Sequence, residues 1–371
     1  MNHVLITGVK EPAGGVEKVV MTYVNGFSNP SLITDFAVFG EKLSFEDEIT
    51  KKGGTVYYLP NRVKSRAEYK KDLDEIFKNG NYDAVWCNFS GLTNIDFLKK
   101  AKKYNVEKRI AHAHTSGYFW GSKLMKYLVP VFHRANRVVL PRYANCFWTC
   151  SEKAARFMFG NKYAKKAVKI NNAIQTEKFA FDSEKRTDVR NEFGISPEAF
   201  VAGHVGRMCT AKNQLFLLDI MKEIIKINAD SKLLFVGDGE LHDSVVKYAE
   251  DIGISDSVIF TGVRNDIPRI LQAFDCFALP SVSEGLPVVL IEAQAADVPC
   301  ITTAGAVSEE VNLTGNVLFV SLDEPADIWA KKIINHSRHK PHDGIEKLKA
   351  SGYDISLEAQ KLESVFLEKN K

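Results

Sequence analysis

Short apolar runs that alternate with stretches of helical periodicity constrain this chain more than any other feature. In the first half, Val4-Leu-Ile, Phe36-Ala-Val-Phe, Thr55-Val-Tyr-Tyr-Leu, Ala84-Val-Trp-Cys, Arg109-Ile-Ala-His and Cys146-Phe-Trp-Thr-Cys read as strands. In the second half, the runs are Phe200-Val-Ala-Gly-His-Val, Lys232-Leu-Leu-Phe-Val, Val258-Ile-Phe-Thr, Cys276-Phe-Ala-Leu, Cys300-Ile-Thr-Thr and Val317-Leu-Phe-Val. Helical patterns fall between them, among others at 16–27, 65–77 and 96–104. Strand and helix in regular alternation predict an α/β chain with parallel sheets flanked by helices.

At 371 residues the chain exceeds one ordinary core and suits two such units. The polar, turn-rich segment 179–196 is the expected linker, which places a first domain at 1–178 and a second at 179–355. Residues 356–371 form an amphipathic helix with Asp354 or Ser356 as its cap. Two doubly wound units imply a ligand cleft at the carboxyl ends of their strands.

With 45% apolar and 26% charged residues the composition is that of a soluble globular protein, and a net charge of +3 says little about partners. The distribution of charge says more. From Lys108 to Ser151 there is no Asp or Glu, while Lys108, Arg109, Lys123, Lys126, Arg134, Arg137 and Arg142 are all present. Tyr118-Phe-Trp, Leu124-Met, Tyr127-Leu-Val, Val131-Phe and Phe147-Trp interleave with these cations. That mixture suits an anionic membrane surface at residues 108–148, or a lipid-linked acceptor. Core helices beside solvated charges, or nucleic-acid contact, would give a similar pattern; lipid is the reading taken, with no nucleic acid partner.

Cysteines at 87, 146, 150, 209, 276 and 300 show neither a CxxC pair nor metal-ligand spacing with histidine, so no metal site is expected. Buried, unpaired thiols fit a reducing cytosol. The N-terminus is a strand and turn rather than a signal sequence, and no apolar run is long enough to span a bilayer. The expected location is therefore cytoplasmic, peripheral at the inner face of the plasma membrane.

The segment from Ser281 to Ala293 carries the most chemistry. Glu284 and Glu292 stand on either side of a Gly-Leu-Pro turn that opens a helix. Pro287 suits the first helical position, and the backbone of Leu286 and Val288 then lies at a positive helix terminus suited to an anion. Glu292 falls about 7.5 Å along the axis from Pro287. Two acceptors around an anion site match a molecule with hydroxyls on both sides of a phosphate, as in a sugar nucleotide. Capping alone would also explain an acid near a helix start.

Other strand ends add to this. Gly14 and Gly15 lead from the first strand into a helix and permit close backbone approach. The dinucleotide fingerprint G-x-G-x-x-G is absent there, which counts against a nicotinamide cofactor. Arg207 and Lys212 flank the loop after another strand and suit a diphosphate. Gly237, bracketing Asp238 with Gly239, suits a nucleotide or a plain turn, and Val263 with Arg264 could meet a base. His112 and His114 share one face of a strand, with His114 at its carboxyl end.

Gly14-Gly15-Val16-Glu17, His112-Ala-His114, Val205-Gly-Arg207 with Lys212-Asn213, Gly237-Asp-Gly, and the run from Glu284 to Glu292 occur in the order of the family 4 glycosyltransferases. On these motifs the chain resembles that family over nearly its whole length, and bacterial capsular and exopolysaccharide members in particular. The resemblance implies the GT-B fold, two Rossmann-like doubly wound domains, with the last helix returning to the first domain. It implies a retaining, metal-independent transfer of a hexosyl group from a nucleotide diphosphate donor, a UDP-sugar, to a lipid-linked or glycan acceptor, without a cofactor. Glu292 would hold the ribose, Gly237, Val263 and Arg264 the rest of the nucleotide. Glu284 would orient the sugar, with His114 beside the reacting centre. Arg207, Lys212, Gly14, Gly15 and the amides of Leu286 and Val288 would hold the diphosphate. Two departures stand out: Asn172-Ala-Ile-Gln where relatives usually have Asn-Gly-Ile/Val-Asp, and Asp297 where a glycine is frequent. The rival expectations are a nucleotide-sugar epimerase on the same fold and a non-catalytic partner of an active transferase.

Overall fold

The computed structural model describes residues 2–11, 14–40, 42–115, 117, 125–338 and 342–368. Two compact units emerge, one made of residues 1–173 with 355–371 and the other of residues 174–354. In the first, β1 (Asn2–Thr7), β2 (Leu32–Phe39), β3 (Val56–Leu59), β4 (Ala84–Phe89), β5 (Lys108–Ala113), β6 (Cys146–Thr149) and β7 (Val168–Lys169) form one sheet. Its order is β3-β2-β1-β4-β5-β6-β7, and every pairing is parallel. In the second, β8 (Val201–Val205), β9 (Lys232–Val236), β10 (Val258–Phe260), β11 (Cys276–Leu279), β12 (Cys300–Thr303) and β13 (Val317–Val320) pair in the order β10-β9-β8-β11-β12-β13. All of these pairings are parallel as well.

Each expected strand is present, and only the two-residue β7 went unforeseen. Central strands such as β4 and β8 are buried along their whole length, which is why their sequences lack polar alternation. Both sheets are doubly wound, with strand order reversing between β1 and β4 and between β8 and β11. Ligands of such sheets bind just beyond the carboxyl ends of the strands at these reversals.

The C-terminal helix, Ile355–Leu367, packs within the first unit. Gly26 makes this possible: a Cβ there would lie 2.7 Å from Cβ of Ala359. Phe366 packs against Trp86, Trp148 and Phe27, and Glu363 accepts from the amides of Ser28 and Asn29. Asp354, the residue before this helix, also accepts from the Thr176 hydroxyl within the second unit.

Two expectations need correction. Segment 179–196 is no bare linker: Ser183–Glu192 is a helix whose cap Asp182 accepts from the amides of Glu184 and Lys185. Arg190 on it is buried, bonded to Asp275 at 2.7 Å and to the carbonyls of Ser196, Pro197, Ala199 and Ala273. Lys108 is likewise no part of a surface, and Arg109 is half-buried and tied to backbone. Lys108 is buried and donates to the carbonyls of Val365 and Glu368, while Arg109 donates to those of Val106 and Tyr143. The departure at Asp297 has a physical account. Its φ is +55°, a conformation glycine adopts freely, and its carboxylate accepts from the Gly344 amide at 2.9 Å.

Candidate active site

At the carboxyl edge of the second sheet, backbone lies against backbone. Gly237 follows β9 with φ +128°, and a Cβ there would fall 2.2 Å from the Gly206 carbonyl oxygen, so only glycine fits. Its amide donates to the Gly262 carbonyl at 2.8 Å, tying the ends of β8, β9 and β10 into a low rim without side chains.

Beside this rim, the loops after β8 and β11 meet across the strand-order reversal. The Val282 amide donates to the Ala211 carbonyl at 2.9 Å, which fixes one loop against the other. Lys212 Nζ then reaches Glu284 Oε1 at 2.5 Å, and the buried Ser281 hydroxyl donates to the same oxygen at 2.7 Å. Both partners are largely enclosed, with side-chain exposures of 18% for Lys212 and 12% for Glu284. The cation expected for a diphosphate and the carboxylate expected to orient a sugar thus form one ion pair. Arg207 differs: it is 72% exposed and pairs with Glu240, itself 54% exposed. Such a pair contributes little, so its guanidinium can turn to another anion at small cost.

Beneath these loops lies a buried layer that sequence inspection missed. His204 donates through Nδ1 to the Ala278 carbonyl at 2.9 Å, which leaves Nε2 to accept from Gln214 at 3.3 Å. Gln214 also donates to the Arg207 carbonyl at 2.9 Å, holding the cationic loop from below. Burial lowers the His204 pKa to about 4 and keeps the ring neutral. His204 is the one polar residue of β8, and no local motif ties it to Gln214.

The helix after the Gly-Leu-Pro turn runs from Val288 to Ala295, and Pro287 is its N-cap, with extended backbone at φ −71° and ψ 110°. Pro287 thus precedes the first helical position by one residue. The cap supplies no side-chain acceptor to the first-turn amides. Leu286 is buried, Val288 half-buried, and Glu292 half-buried one turn further on.

Val263 lies 74% exposed past β10. Arg264 is bidentate to Asp266, with both contacts at 2.8 Å, and reaches Glu192 at 3.1 Å. These carboxylates hold its pKa up, and the same fork lowers Asp266 to about 2. The guanidinium suggested for a base is therefore engaged with two acids of its own unit.

In the first unit, Gly8 follows β1 with φ +92°, and a Cβ there would lie 1.9 Å from the Asn88 carbonyl oxygen. Gly14 and Gly15 are not required in this way. A Cβ on Gly15 would meet no described atom within 4 Å, so the protein's own packing does not demand the glycine. Glu17 shapes the loop: its carboxylate is buried and accepts from the amides of Gly14 at 2.9 Å and Lys10 at 3.3 Å. Asn88 at the end of β4 bridges β1 to β5. It donates to the Thr7 carbonyl at 3.2 Å, so its oxygen accepts from His114 Nε2 at 2.8 Å. The rings of His112 and His114 lie tilted against each other with centroids 4.0 Å apart, as their shared strand face requires. Burial lowers His114 to about 3 and holds His112 well below its ordinary value, so both rings are neutral at physiological pH. Trp86 donates to His112 Nδ1 at 3.1 Å, and His112 Nε2 meets no hydrogen-bond partner among the described residues.

The basic and aromatic stretch is exposed on the Met125–Val139 helix. Tyr127, Val131, Phe132 and Val138 are 72%, 63%, 52% and 76% exposed there. Tyr118, Phe119, Trp120, Lys123 and Leu124 lie outside the described residues. Among the described residues no helix is long and apolar enough to cross a membrane, and no three His, Cys, Asp or Glu side chains are grouped to hold a metal ion.

Residues 199–338 match the family described as glycosyl transferases group 1. The chain is 29% identical to the putative glycosyltransferase EpsF of Bacillus subtilis over 366 residues, covering 95% of this chain and 93% of that protein. It is 26% identical to the capsular polysaccharide biosynthesis glycosyltransferase CapH of Staphylococcus aureus, covering 90% and 89%. Anabaena HepE in complex with UDP and glucose superimposes with a TM-score of 0.79 at 15% identity, over 99% of both chains. The two doubly wound units are those of the GT-B fold.

Proposed function

We propose, from the glycosyl transferases group 1 domain at residues 199–338, that this chain is a retaining glycosyltransferase of cell-surface polysaccharide assembly. Its donor is a UDP-sugar and its acceptor a lipid-linked or glycan hydroxyl. Solved HepE contains UDP and glucose, and EpsF and CapH are glycosyltransferases by name, which supports that choice. The observation that carries the reading is the enclosed Lys212–Glu284 pair beside the Val288–Ala295 helix terminus, at the strand-order reversal of the second sheet.

In this reading the bond from the anomeric carbon to the diphosphate breaks while the acceptor oxygen bonds to the same face of that carbon. The acceptor proton passes to a phosphate oxygen. Negative charge grows on the leaving diphosphate, so stabilising it is the main catalytic task. Lys212 exchanges Glu284 for phosphate, Arg207 leaves Glu240, and the backbone of Leu286 and Val288 adds the positive end of the helix. These protein groups do the work for which other transferases use a metal. Glu284, released from Lys212, accepts from hydroxyls of the sugar. Glu292 takes the ribose, with Gly237 and the backbone of Val263 against the nucleoside, while Arg264 borders that region through its own acidic partners. Gly14, its amide held by Glu17, turns the loop so that the backbone of Gly15 meets the diphosphate. His114 serves as a neutral donor or acceptor near the reacting sugar, not as an acid, since burial keeps it unprotonated.

A panel of nucleotide sugars, with and without chelator and with a bacterial membrane extract as acceptor, tests this directly. Release of UDP from one donor, undiminished by chelator, is the expected result. If UDP binds yet no donor is turned over, the chain is a non-catalytic partner; scrambling of the donor's own stereochemistry would identify an epimerase.

Membrane contact rests on the Met125–Val139 helix, where Lys126, Arg134 and Arg137 interleave with the exposed apolar side chains. Flotation with phosphatidylglycerol vesicles is expected, and equal flotation with neutral vesicles would remove the electrostatic part of this reading.

A further inference from the structure

A second cationic feature lies in the first unit and takes no part in the donor site. A cavity of about 720 Å³ opens between the Arg66–Gly80 and Asp96–Lys103 helices. Six cations line it: Arg62, Arg66, Lys70, Lys99, Lys100 and Lys103. Its floor is apolar, built from Tyr69 and Leu73, both buried.

The compensation is incomplete. Arg62 and Lys99 share Asp96 at 2.8 and 3.9 Å, and Lys100 and Lys103 share Asp74. Arg66 and Lys70 have no carboxylate within ion-pair distance among the described residues. Arg66 and Lys70 are four residues apart on one helix, as are Lys99 and Lys103 on the other. Like charges at this spacing are destabilising, and here two such pairs border the same groove. A stability argument would not place them so; an anionic ligand would.

We propose that this groove binds an anionic glycan, and specifically the growing acceptor chain. The proposal rests on the glycosyltransferase reading for the word acceptor, but not for the binding itself. Arg66 and Lys70 stand about 6 Å apart along their helix, and Lys99, Lys100 and Lys103 span about 6 Å along theirs. One phosphate cannot span that length, whereas a chain with a carboxylate or phosphodiester in each repeat can. A flat bilayer cannot enter a concave groove between two helices. A neutral protein tail would bring the six cations no counter-charge. The apolar floor with a cationic wall suits sugar rings that carry acidic groups on one side.

The test uses the full chain with an oligogalacturonate, a neutral malto-oligosaccharide of equal length, inorganic phosphate and phosphatidylglycerol vesicles. The wild type is expected to bind the oligogalacturonate with an affinity that falls as salt rises, and to ignore the neutral chain. The double variant Arg66→Gln/Lys70→Gln loses two charge-assisted contacts and should bind about tenfold more weakly. Its melting temperature should be unchanged or slightly raised, because a like-charged pair is removed, and its UDP affinity should be that of the wild type. Equal oligogalacturonate affinity in wild type and variant overturns the proposal, as does equal binding of the neutral chain. Phosphate binding that gains nothing from chain length, or an effect of the variant on vesicles alone, overturns it too. Loss of UDP binding in the wild type would instead strike the donor-site reading and leave the groove standing or falling on its own titration.

Discussion

Replacing Glu284 by alanine removes the partner of a lysine that is only 18% exposed and the acceptor of a fully buried serine hydroxyl. Breaking a fully buried pair costs roughly 3–5 kcal/mol and an exposed one under about 1. With exposures of 18% and 12% the pair lies nearer the buried limit, so a discounted cost of about 2 kcal/mol follows. The orphaned Ser281 hydroxyl adds about 1 kcal/mol. For a unit the size of residues 174–354 each kcal/mol moves the melting temperature by about 2–4 °C, so the transition of this unit should fall by about 6–12 °C. Lys212→Met should have an effect of similar size, since it strands Glu284. The double variant should be about 2 kcal/mol more stable than the sum of the two singles. UDP sharpens the test. In the wild type Lys212 must leave Glu284 to meet the diphosphate, whereas in Glu284→Ala it is already free. Scanning calorimetry should therefore find a larger UDP-induced shift in Glu284→Ala than in wild type, together with a loss of turnover. Additive single effects and equal UDP shifts would refute the shared-lysine account.

Three further outcomes follow from the second unit. Arg190→Met leaves several carbonyls without their donor and takes one cationic partner from Asp275; urea unfolding should report a loss of about 3 kcal/mol, and a loss under about 1 would mean this buried guanidinium is dispensable. Gly237→Ala drives a Cβ to 2.2 Å from a carbonyl at a positive φ, so the variant should lose UDP binding through a displaced rim, and unaltered affinity would show that the rim does not carry the nucleotide. His204 has a pKa of about 4 in the fold against 6.5 in the free chain. The unfolded state therefore binds the extra proton first, and this contribution to stability, complete above pH 6.5, declines as pH falls toward 4 at up to about 1.4 kcal/mol per unit. Urea midpoints of wild type and His204→Gln compared at pH 7 and pH 5 check this, and an equal loss in both would exclude His204 as its source.

Strand positions were legible because buried parallel strands need unbroken apolar runs, and these runs are local. The reversal of strand order was implied by two successive doubly wound units. The acidic segment after β11 was legible for the same local reason: Gly-Leu-Pro breaks one element and opens the next. Partnerships across the chain were not legible. Lys212 and Glu284 are 72 positions apart, and nothing nearby signals that they share a proton-rich contact rather than face a ligand separately. Arg264 looked available because its second partner, Glu192, belongs to a segment taken for a linker. That helix did leave a signal in Asp182 followed by Ser-Glu-Lys, an N-cap with an acid in the first turn. Glu17 stands in the Gly14-Gly15-Val16-Glu17 motif at the third helical position, where an acid reaches back to the cap amide; His204 left no signal, since it acts on backbone and amide groups that only the fold brings near.

Calorimetric titration of UDP into wild type and Glu292→Ala is the most direct test of the central claim, that the carboxyl edge of the second sheet holds a nucleotide diphosphate through this helix. Binding in the wild type, weakened about tenfold or more once the ribose acceptor is gone, is what the account requires. Equal affinity in the two proteins, or no affinity in either, would contradict it.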